Sequence, residues 1–489
     1  MNYTIKIADA KKHFIEVTAT VSVQNRNEIL FQLPAWRPGR YQLANYAKNI
    51  RKFTVLNQYN DVVEFIKITK DCWRVISEGC TNLKITYEYY ANQLDAGASY
   101  CDNDLLYINP VNCLVYYVNA IDSPCELTLL IPDDYKIACQ LKIEGKKLLA
   151  NNYHQLADSP FIASSSLFHH SFNFGSSKIH FWIHGKNPFD KLYLKQLEDD
   201  TIAYAELQKN IFGEFPCTDY HFMYFILPYK FRHGVEHEDS TVITMGFTNE
   251  DILPEFYDDL LAISSHEMFH LWNVKRLRPA QMWPYDYTKE NYSSLGYIYE
   301  GVTTYYGDLA LLRSGVWSFD TYIKSLENDF ERHHTNQGRN NYSVAQSSFD
   351  TWLDGYEPGI EGRKVSIYTE GCIAALIADI TILAETKGKK RLDDVLKHLY
   401  NNTFKQNKGY TDNDYKNALE EVSGLSFNSY FNDIINGCGM WDEYINEALS
   451  RIGLEITLSE ALKPKITINK NATAIQKNLL KVWSNENLT

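Results

Sequence analysis

The sequence lacks several features, and each absence excludes a class of protein. It has 48 Lys and Arg against 61 Asp and Glu, a formal net charge of −13 over 489 residues. A general nucleic-acid-binding protein needs a basic face, so nucleic acid is not an expected partner. The sequence also has no run of about 18 apolar residues, the length at which a membrane-spanning helix is indicated. Its best run, "CIAALIADITIL", is short and contains Asp379, so no membrane association is expected.

Paired cysteines and a secretion leader are also missing. The nine cysteines are scattered without a C-x-x-C pair, and an odd, unpaired set argues against a disulfide framework. The start, "MNYTIKIADAKKHFIEVTAT", alternates apolar and polar residues as a strand does, and it lacks the basic and then apolar segments of a signal peptide. We therefore expect a cytoplasmic protein.

The patterns that are present predict several domains in the order β, α/β, α. A chain of this length is too long for one compact core, although its 45% hydrophobic and 22% charged residues are ordinary for a globular protein. Alternating runs such as "HFIEVTATVSV", "LKITYEYYA" and "CLVYYVNA" predict an antiparallel β-domain of the sandwich type over residues 1–170. An α/β segment is predicted over 171–315 and a helical domain over 316–450. A short β segment and a tail are predicted over 451–489.

The α/β segment is predicted to hold helices and one strand. "DKLYLKQLEDDTIAYAELQKNIFGEFP" has helical spacing and ends near Gly213 and Pro216. "YHFMYFILP" is typical of a buried strand. Two further helices are predicted around 254–275 and 290–313, because apolar residues recur there at helical spacing.

One motif in this segment indicates metal chemistry. "SSHEMFHLWNVKRLRP", residues 264–279, places two histidines four residues apart with a glutamate after the first. Residues i and i+4 share one helix face, so His266 and His270 can point at one ion while Glu267 lies beside it. H-E-x-x-H on a helix is the pattern of a zinc peptidase whose glutamate is the general base. The alternative is an amphipathic helix with two surface histidines.

A third ligand candidate, Glu300, follows in "YIYEGVTTYYGDLALL". Its neighbours are mostly apolar or aromatic, and a carboxylate in such surroundings is usually paired or metal-bound. A glutamate on a neighbouring helix is a common third ligand for an H-E-x-x-H pair. The alternative is a surface carboxylate.

Polar residues that follow His270 in this motif are candidates for supporting roles. Asn273, three residues after His270, is a candidate to orient the metal helix. Lys275, Arg276 and Arg278 form a basic cluster, which either complements the helix C-terminus or binds a substrate carboxylate.

These motifs resemble those of a known enzyme family. "HEMFHLWNVKRLRP" and "YIYEGVTTYY" are similar to the glycyl aminopeptidase family of zinc metallopeptidases, gluzincins that are distantly related to aminopeptidase N. The stretches "LPAWRPGRYQLANYAKNI", "NIFGEFPCTDYHFMYFIL", "HGVEHEDST" and "IYTEGCIAALIADI" are similar to other motifs of that family, and the similarity spans about residues 10–455. It implies a multidomain α+β protein. Its expected parts are an N-terminal antiparallel β-sandwich-like domain, a thermolysin-like α/β zinc-binding domain and a C-terminal all-helical domain.

The resemblance also implies a cofactor and further site residues. Zinc is the implied cofactor. Tyr368 in "SIYTEG" matches a tyrosine that stabilises the oxyanion in related aminopeptidases, and Glu236 in "HGVEHEDST" matches a glutamate that pairs with the substrate's α-amine. Gly234 in the same motif lets the backbone run close to a ligand. The alternative for Tyr368 is an ordinary packing tyrosine, and the alternative for Glu236 is a carboxylate in a solvated acidic turn.

The sequence departs from the family pattern at two motif positions. His233 stands where the family usually has Gly, and Glu370 stands where it usually has Lys. The exchange at 370 reverses a charge near the site and leaves the substrate preference open. His233 and His237 are either structural or contacts to substrate. Family members usually carry a C-terminal PDZ-like domain, and only a short segment follows "GLEITL", so that domain is expected to be missing or vestigial.

The sequence therefore predicts a zinc aminopeptidase that removes N-terminal residues from short peptides. The family name implies a preference for small residues such as Gly or Ala. One alternative is a zinc endopeptidase, and another is a catalytically inactive scaffold that binds peptides. The intact Glu267 argues against the scaffold, which has no need of a general base. A peptide is the expected partner, and the sequence leaves the oligomeric state open.

Overall fold

A computed structural model describes residues 1–23, 26–189, 191–248, 253–357, 359–439 and 441–485. The protein is a multidomain α+β chain with a β-rich N-terminal part and a helical C-terminal part, as the sequence predicts. The sandwich-like and thermolysin-like assignments of the individual domains remain predictions.

The chain divides into two compact units. The first comprises residues 1–188, 217–253 and 286–290, and the second comprises 189–216, 254–285 and 291–489. The domain boundaries predicted at 170, 315 and 450 stay predictions, and residues 486–489 of the predicted tail lie outside the described residues.

Alternating burial explains the sheets of the first unit. In the strand Asn82–Tyr90, the side chains of Leu83, Ile85, Tyr87 and Tyr89 are buried and their neighbours are more exposed. Successive side chains of a strand point to opposite faces, so this pattern places one face on the core.

The strands of the first unit form several sheets among the described residues. The largest has the strand order Lys142–Glu144, Lys147–Ala150, Cys125–Leu130, Asn2–Asp9, Phe14–Ser22, Asn82–Tyr90 and Ile50–Asn57. A second has the order Tyr116–Tyr117, Glu28–Gln32, Cys72–Ile76 and Phe65–Thr69. A third has the order Lys136–Cys139, Phe161–Ser164, Leu105–Ile108 and Tyr100–Cys101.

A mixed sheet in the first unit carries the "HGVEH" motif. Its strand order is Phe168–Phe174, Ser177–Gly185, Asp219–Leu227, Ser240–Gly246 and Arg232–Glu236. The three middle strands are parallel, and the outer strands pair antiparallel to them. Asp219–Leu227 is buried along nearly its whole length, as a central parallel strand must be. Arg232–Glu236 is therefore an outer strand of this sheet.

The strand predictions differ in outcome. Phe14–Ser22, Asn82–Tyr90 and Asp219–Leu227 confirm the strands predicted from their alternating or apolar runs. The strand predicted for "CLVYYVNA" is wrong for most of its length. A short helix, Pro110–Cys113, runs into it, because proline is well suited to a first helical position. A short strand, Tyr116–Tyr117, and a 3₁₀ turn follow.

The second unit is mainly helical, as predicted for residues 316–450. Its longer helices are Lys191–Phe212, Leu253–Phe269, Thr303–Arg313, Phe319–Thr335, Ile367–Glu385, Leu392–Asn402, Asp412–Ser423, Trp441–Arg451 and Ala474–Ser484. Short helices are Val344–Phe349 and Thr351–Asp354, and π-helical turns are Tyr297–Val302 and Tyr430–Ile435. The first unit adds the short helix Tyr153–Ala157.

The C-terminal segment contains more structure than the sequence predicts. The predicted strands are a hairpin, Leu454–Leu458 with Pro464–Ile468. The predicted tail is instead largely a helix, Ala474–Ser484, which buries Leu480 and Trp483. The amphipathic spacing of these apolar residues is a helix signal that the sequence interpretation missed.

The helix Ile367–Glu385 contains the longest apolar run of the sequence. Among the described residues it is the one helix long and apolar enough to cross a membrane, and 83% of its apolar window is buried inside the protein. Its buried Asp379 accepts a hydrogen bond from the Tyr305 hydroxyl (2.7 Å) and pairs with Arg313 and Arg391 at 3.3 and 3.4 Å. Burial raises the pKa of Asp379 to about 6, and these partners offset the cost of the buried charge.

Candidate metal centre

The helix Leu253–Phe269 presents the H-E-x-x-H motif. It carries His266 and Glu267, and His270 directly follows its last residue. The backbone N–H of His270 donates to the carbonyl of His266 (3.3 Å), so the helical path extends to His270. The chain then turns from Leu271 onward, where the sequence predicts helix to 275. The helical path places both histidines on one face.

Three donor atoms of the second unit converge at this motif. The Nε2 atoms of His266 and His270 lie 3.1 Å apart, with the ring planes at 84°. The Glu300 Oε2 atom lies 3.5 Å from the Nε2 of His270 and 3.8 Å from that of His266. Two imidazoles and a carboxylate with one position left open form the donor set of a catalytic zinc site. These three residues could therefore hold one zinc ion.

The backbone fixes the tautomer of His270. Its Nδ1–H donates to the carbonyl oxygen of Asn273 (2.7 Å), which leaves Nε2 unprotonated and available to a metal. The side-chain amide of Asn273 donates to the carbonyl of Ile298 (2.9 Å). Asn273 thus connects the histidine to the segment that carries Glu300, consistent with the predicted orienting role.

A π-helical turn, Tyr297–Val302, carries Glu300. It continues as the regular helix Thr303–Arg313, whereas the sequence predicts one regular helix over 290–313. Such turns are frequent at functional sites, because the wider turn re-aims one side chain. Glu300 is 2% exposed, which fits the sequence interpretation that its surroundings are apolar.

Glycines allow the helices around the motif to approach closely. A Cβ at Gly307 would lie 3.0 Å from the Cα of His266. A Cβ at Gly301 would overlap the backbone of Gly371 on the helix Ile367–Glu385. These glycines let the Glu300 segment pack directly on the helices of His266 and Tyr368.

We expect Gly301→Ala to destabilise the fold around the metal centre. The added methyl group meets backbone rather than a flexible side chain, so the cost should be about 1–3 kcal/mol. Thermal unfolding measures the loss. Gly359→Ala is the matched control, because a Cβ there would meet no atom within 4 Å. Equal unfolding temperatures for the two variants would contradict the close packing.

The helix Ile367–Glu385 brings Tyr368 close to the histidine pair. Ser366 caps this helix by accepting a hydrogen bond from the N–H of Thr369 (3.3 Å), so Tyr368 lies in its first turn. The ring centroids of Tyr368 and His266 are 6.4 Å apart. The structure thus brings together Tyr368 and the predicted metal ligands.

Glu370, the residue that replaces a lysine of the family pattern, is buried. It is 1% exposed, and its Oε2 accepts a hydrogen bond from the Nδ1–H of His333 (2.7 Å). No local pattern in the sequence predicts this partner. The carboxylate is therefore paired inside the second unit rather than solvated.

Glu236 and Gly234 lie on the outer strand Arg232–Glu236 of the first unit. Glu236 is 4% exposed, and its Oε1 has no hydrogen-bond partner among the described residues. Its carboxylate packs against Gly39, which has φ +77° and no room for a side chain. Gly39 belongs to the "LPAWRPGRY" stretch, so the fold joins two motifs that the sequence shows separately.

The histidines beside Glu236 have partners within the first unit. His237 Nδ1 lies 3.2 Å from Oδ1 of Asp158. His233 Nδ1 lies 3.7 Å from Oδ1 of Asp95. Burial and the nearby Arg37 lower the pKa of His233 to about 4, so its ring is neutral at neutral pH. These contacts favour the structural interpretation of both histidines.

Two arginines of the basic cluster complement backbone carbonyls. Arg276 donates to the carbonyl of Leu271 (2.8 Å), and Arg278 donates to that of Lys275 (3.0 Å). Arg278 also lies 4.0 Å from the ring centroid of Tyr285. These contacts favour a structural role for both arginines over binding of a substrate carboxylate.

Comparisons with known proteins agree with this geometry. The family model of the peptidase M61 N-terminal domain matches residues 2–165, and that of the M61 glycyl aminopeptidase matches residues 259–374. Together they cover more than half of the chain. No curated protein sequence matches it significantly.

Solved structures share the fold. An aminopeptidase N family protein from Idiomarina loihiensis is 25% identical with a TM-score of 0.87, over 94% of this chain and 79% of that protein. An M1 zinc metallopeptidase from Deinococcus radiodurans is 14% identical with a TM-score of 0.53, over 89% and 93%. A variant of a two-domain M1 zinc metallopeptidase bound to L-arginine is 13% identical with a TM-score of 0.52, over 90% and 94%.

Fold and family matches together define a metallopeptidase of the aminopeptidase class, with zinc as its cofactor. The chain belongs to the M61 glycyl aminopeptidase family. The predicted family, enzyme class and cofactor are thus confirmed, while the roles of individual site residues stay predictions.

Proposed function

We propose that the protein is a zinc aminopeptidase that removes N-terminal residues from short peptides. The observation that carries this proposal is the convergence of two imidazole nitrogens and a carboxylate oxygen beside Glu267. The proposed zinc ligands are His266, His270 and Glu300. An H-E-x-x-H helix with an intact general base favours an enzyme over an inactive scaffold.

Each proposed catalytic group has one task. Zinc supplies Lewis-acid polarisation of the attacking water and of the scissile carbonyl. Glu267, which is 6% exposed and adjacent to His266, accepts the proton of the attacking water and passes it to the leaving amine. The Tyr368 hydroxyl donates a hydrogen bond to the oxyanion that develops on the carbonyl oxygen.

Glu236 supports an exopeptidase rather than an endopeptidase. A substrate's α-amine is a cation at neutral pH, and burying it requires a carboxylate partner. Glu236 is a buried carboxylate, and its Oε1 has no hydrogen-bond partner among the described residues. Gly39 has no side chain, and the carboxylate of Glu236 occupies the place that one would take. We assign Glu236 to the α-amine of the substrate, with Gly234 giving the backbone of the same strand room for a ligand.

The proposed preference for small N-terminal residues rests on the family alone. The L-arginine bound to the M1 metallopeptidase variant is a free amino acid, which fits exopeptidase chemistry in a protein of similar fold. A library of peptides that vary only in the first residue would measure the preference here.

We expect the enzyme to cleave a peptide with a free N-terminus and to leave the N-acetylated peptide nearly uncut. Acetylation removes the positive charge that Glu236 is proposed to bind. Mass spectrometry of the two matched peptides measures both rates. Glu236→Gln should slow cleavage of the free peptide by roughly 10-fold or more, mainly through KM, because it removes the ion pair with the bound amine.

The control is Glu78→Gln, which neutralises an exposed carboxylate of the same unit. It should leave both rates unchanged. Equal rates on the free and acetylated peptides in the unmodified enzyme would reject the amine anchor. The zinc endopeptidase would then replace the aminopeptidase as the proposed function.

A further inference from the structure

A buried ionic network includes a residue from the first turn of the helix Ile367–Glu385. His333, which is fully buried on the helix Phe319–Thr335, donates through Nδ1–H to Glu370 (2.7 Å). Its Nε2 accepts from the guanidinium of Arg339 (3.4 Å). Both ring nitrogens are thus engaged, and the imidazole is held between an anion and a cation.

The residues around His333 include three possible metal ligands, but the guanidinium of Arg339 lies next to them. Donor atoms of His333, His334 and Asp442 lie within 4.8 Å of one another. The guanidinium of Arg339 lies 3.6 Å from the Asp442 carboxylate and contacts His333. An arginine at this place repels a second cation. The cluster is therefore an ionic network of the protein rather than a metal site.

A second polar contact joins the same two helices. The carboxylate of Asp329, one turn before His333, interacts with the thiol of Cys372 on the helix of Glu370 and helps to raise the pKa of that thiol. Burial, and next the nearby Asp308, raise the pKa of Asp329 to about 7. The hydrogen bond between Glu370 and His333, with this second interaction beside it, therefore joins the helices Phe319–Thr335 and Ile367–Glu385.

Tyr368 lies in the same first helical turn as Glu370, which these contacts hold in place. It lies two residues before Glu370, and the next residue, Gly371, packs against the segment of Glu300. A carboxylate in the first turn is favoured by the helix dipole. A lysine at position 370 would bring a buried cation towards the guanidinium of Arg339, so the glutamate suits its partners in this chain.

We infer that Glu370, through His333, is a positioning residue that sets the placement of the Tyr368 hydroxyl. This inference rests on the proposed role of Tyr368. Glu370 itself is buried and paired, so it acts on turnover through the turn that it anchors. Small displacements of a catalytic group can cost up to about 100-fold in rate.

The test is a set of four variants compared in kcat, KM and zinc content. Glu370→Ala should lower kcat by roughly 10- to 100-fold with little change in KM or zinc, because Tyr368 acts mainly in the transition state. Glu370→Gln keeps an acceptor for His333 and should restore most of the kcat. Tyr368→Phe should lower kcat strongly. Adding Glu370→Ala to Tyr368→Phe should cause no further loss, because there is then no hydroxyl left to position.

The outcomes separate the inference from the proposed function. A Tyr368→Phe variant with normal kcat rejects the role of Tyr368 and the positioning inference with it. If Tyr368→Phe lowers kcat strongly and Glu370→Ala lowers it by its full factor again in the double variant, the positioning inference is rejected and the role of Tyr368 stands. Independent losses of kcat would then mean that Glu370→Ala causes a general structural defect. If Glu370→Ala does not fold, Arg339→Gln weakens the network from its partly exposed end. Its smaller kcat loss should likewise vanish in the Tyr368→Phe background, and persistence of that loss would overturn the inference.

Discussion

Glu267→Gln is expected to keep zinc and bind peptide while losing turnover by roughly 100- to 10,000-fold. Glutamine has nearly the shape of glutamate but cannot accept the proton of the attacking water. The loss should appear in kcat with little change in KM, because proton transfer occurs in the transition state. Initial rates over a range of peptide concentrations measure both constants, and elemental analysis measures the zinc.

Glu255→Gln is the matched control for this variant. Glu255 lies on the same helix but is exposed in its first turn, so its neutralisation should leave kcat unchanged. Thermal unfolding of both variants separates a loss of chemistry from a loss of fold. If Glu267→Gln turned over at a near-normal rate, Glu267 would be a structural residue and the general base would lie elsewhere.

Short-range periodicity explains which parts of the site the sequence could predict. His266 and His270 share a face because a step of four residues is close to one turn of an α-helix, and this holds in any α-helix. Strands such as Asn82–Tyr90 were predictable for a similar reason, since alternation of buried and exposed residues is local. Glu300 was predictable because a carboxylate within an apolar run needs a partner.

Contacts between distant segments explain what the sequence could not supply. The pairing of Glu370 with His333 joins two helices, and no local pattern marks either residue as a partner of the other. The approach of Gly39 to Glu236 joins a turn and a distant strand of the first unit in the same way. The π-helical turn at Glu300 was also beyond prediction, because its apolar spacing resembles that of a regular helix.

Glu300→Ala should weaken zinc retention by at least about 100-fold, since loss even of residues that only support a ligand costs 10- to 100-fold. Glu300 is the one carboxylate of the proposed ligand set, so its loss removes both a donor atom and the negative charge that offsets the metal's charge. Competition with a chromophoric chelator measures the zinc affinity of the unmodified enzyme and of the variant. Peptidase activity should fall with the bound zinc and return in part when zinc is added in excess.

Two comparisons make this result specific. Glu361→Ala removes an exposed carboxylate of the same unit and should leave zinc affinity unchanged. Glu300→Gln keeps an oxygen donor without the charge, so its affinity should lie between those of the unmodified enzyme and the alanine variant. If Glu300→Ala bound zinc as tightly as the unmodified enzyme, Glu300 would not be a ligand. If protein stripped of metal cleaved peptides at the full rate, the reaction would not depend on zinc, and the convergence of His266, His270 and Glu300 would need another explanation.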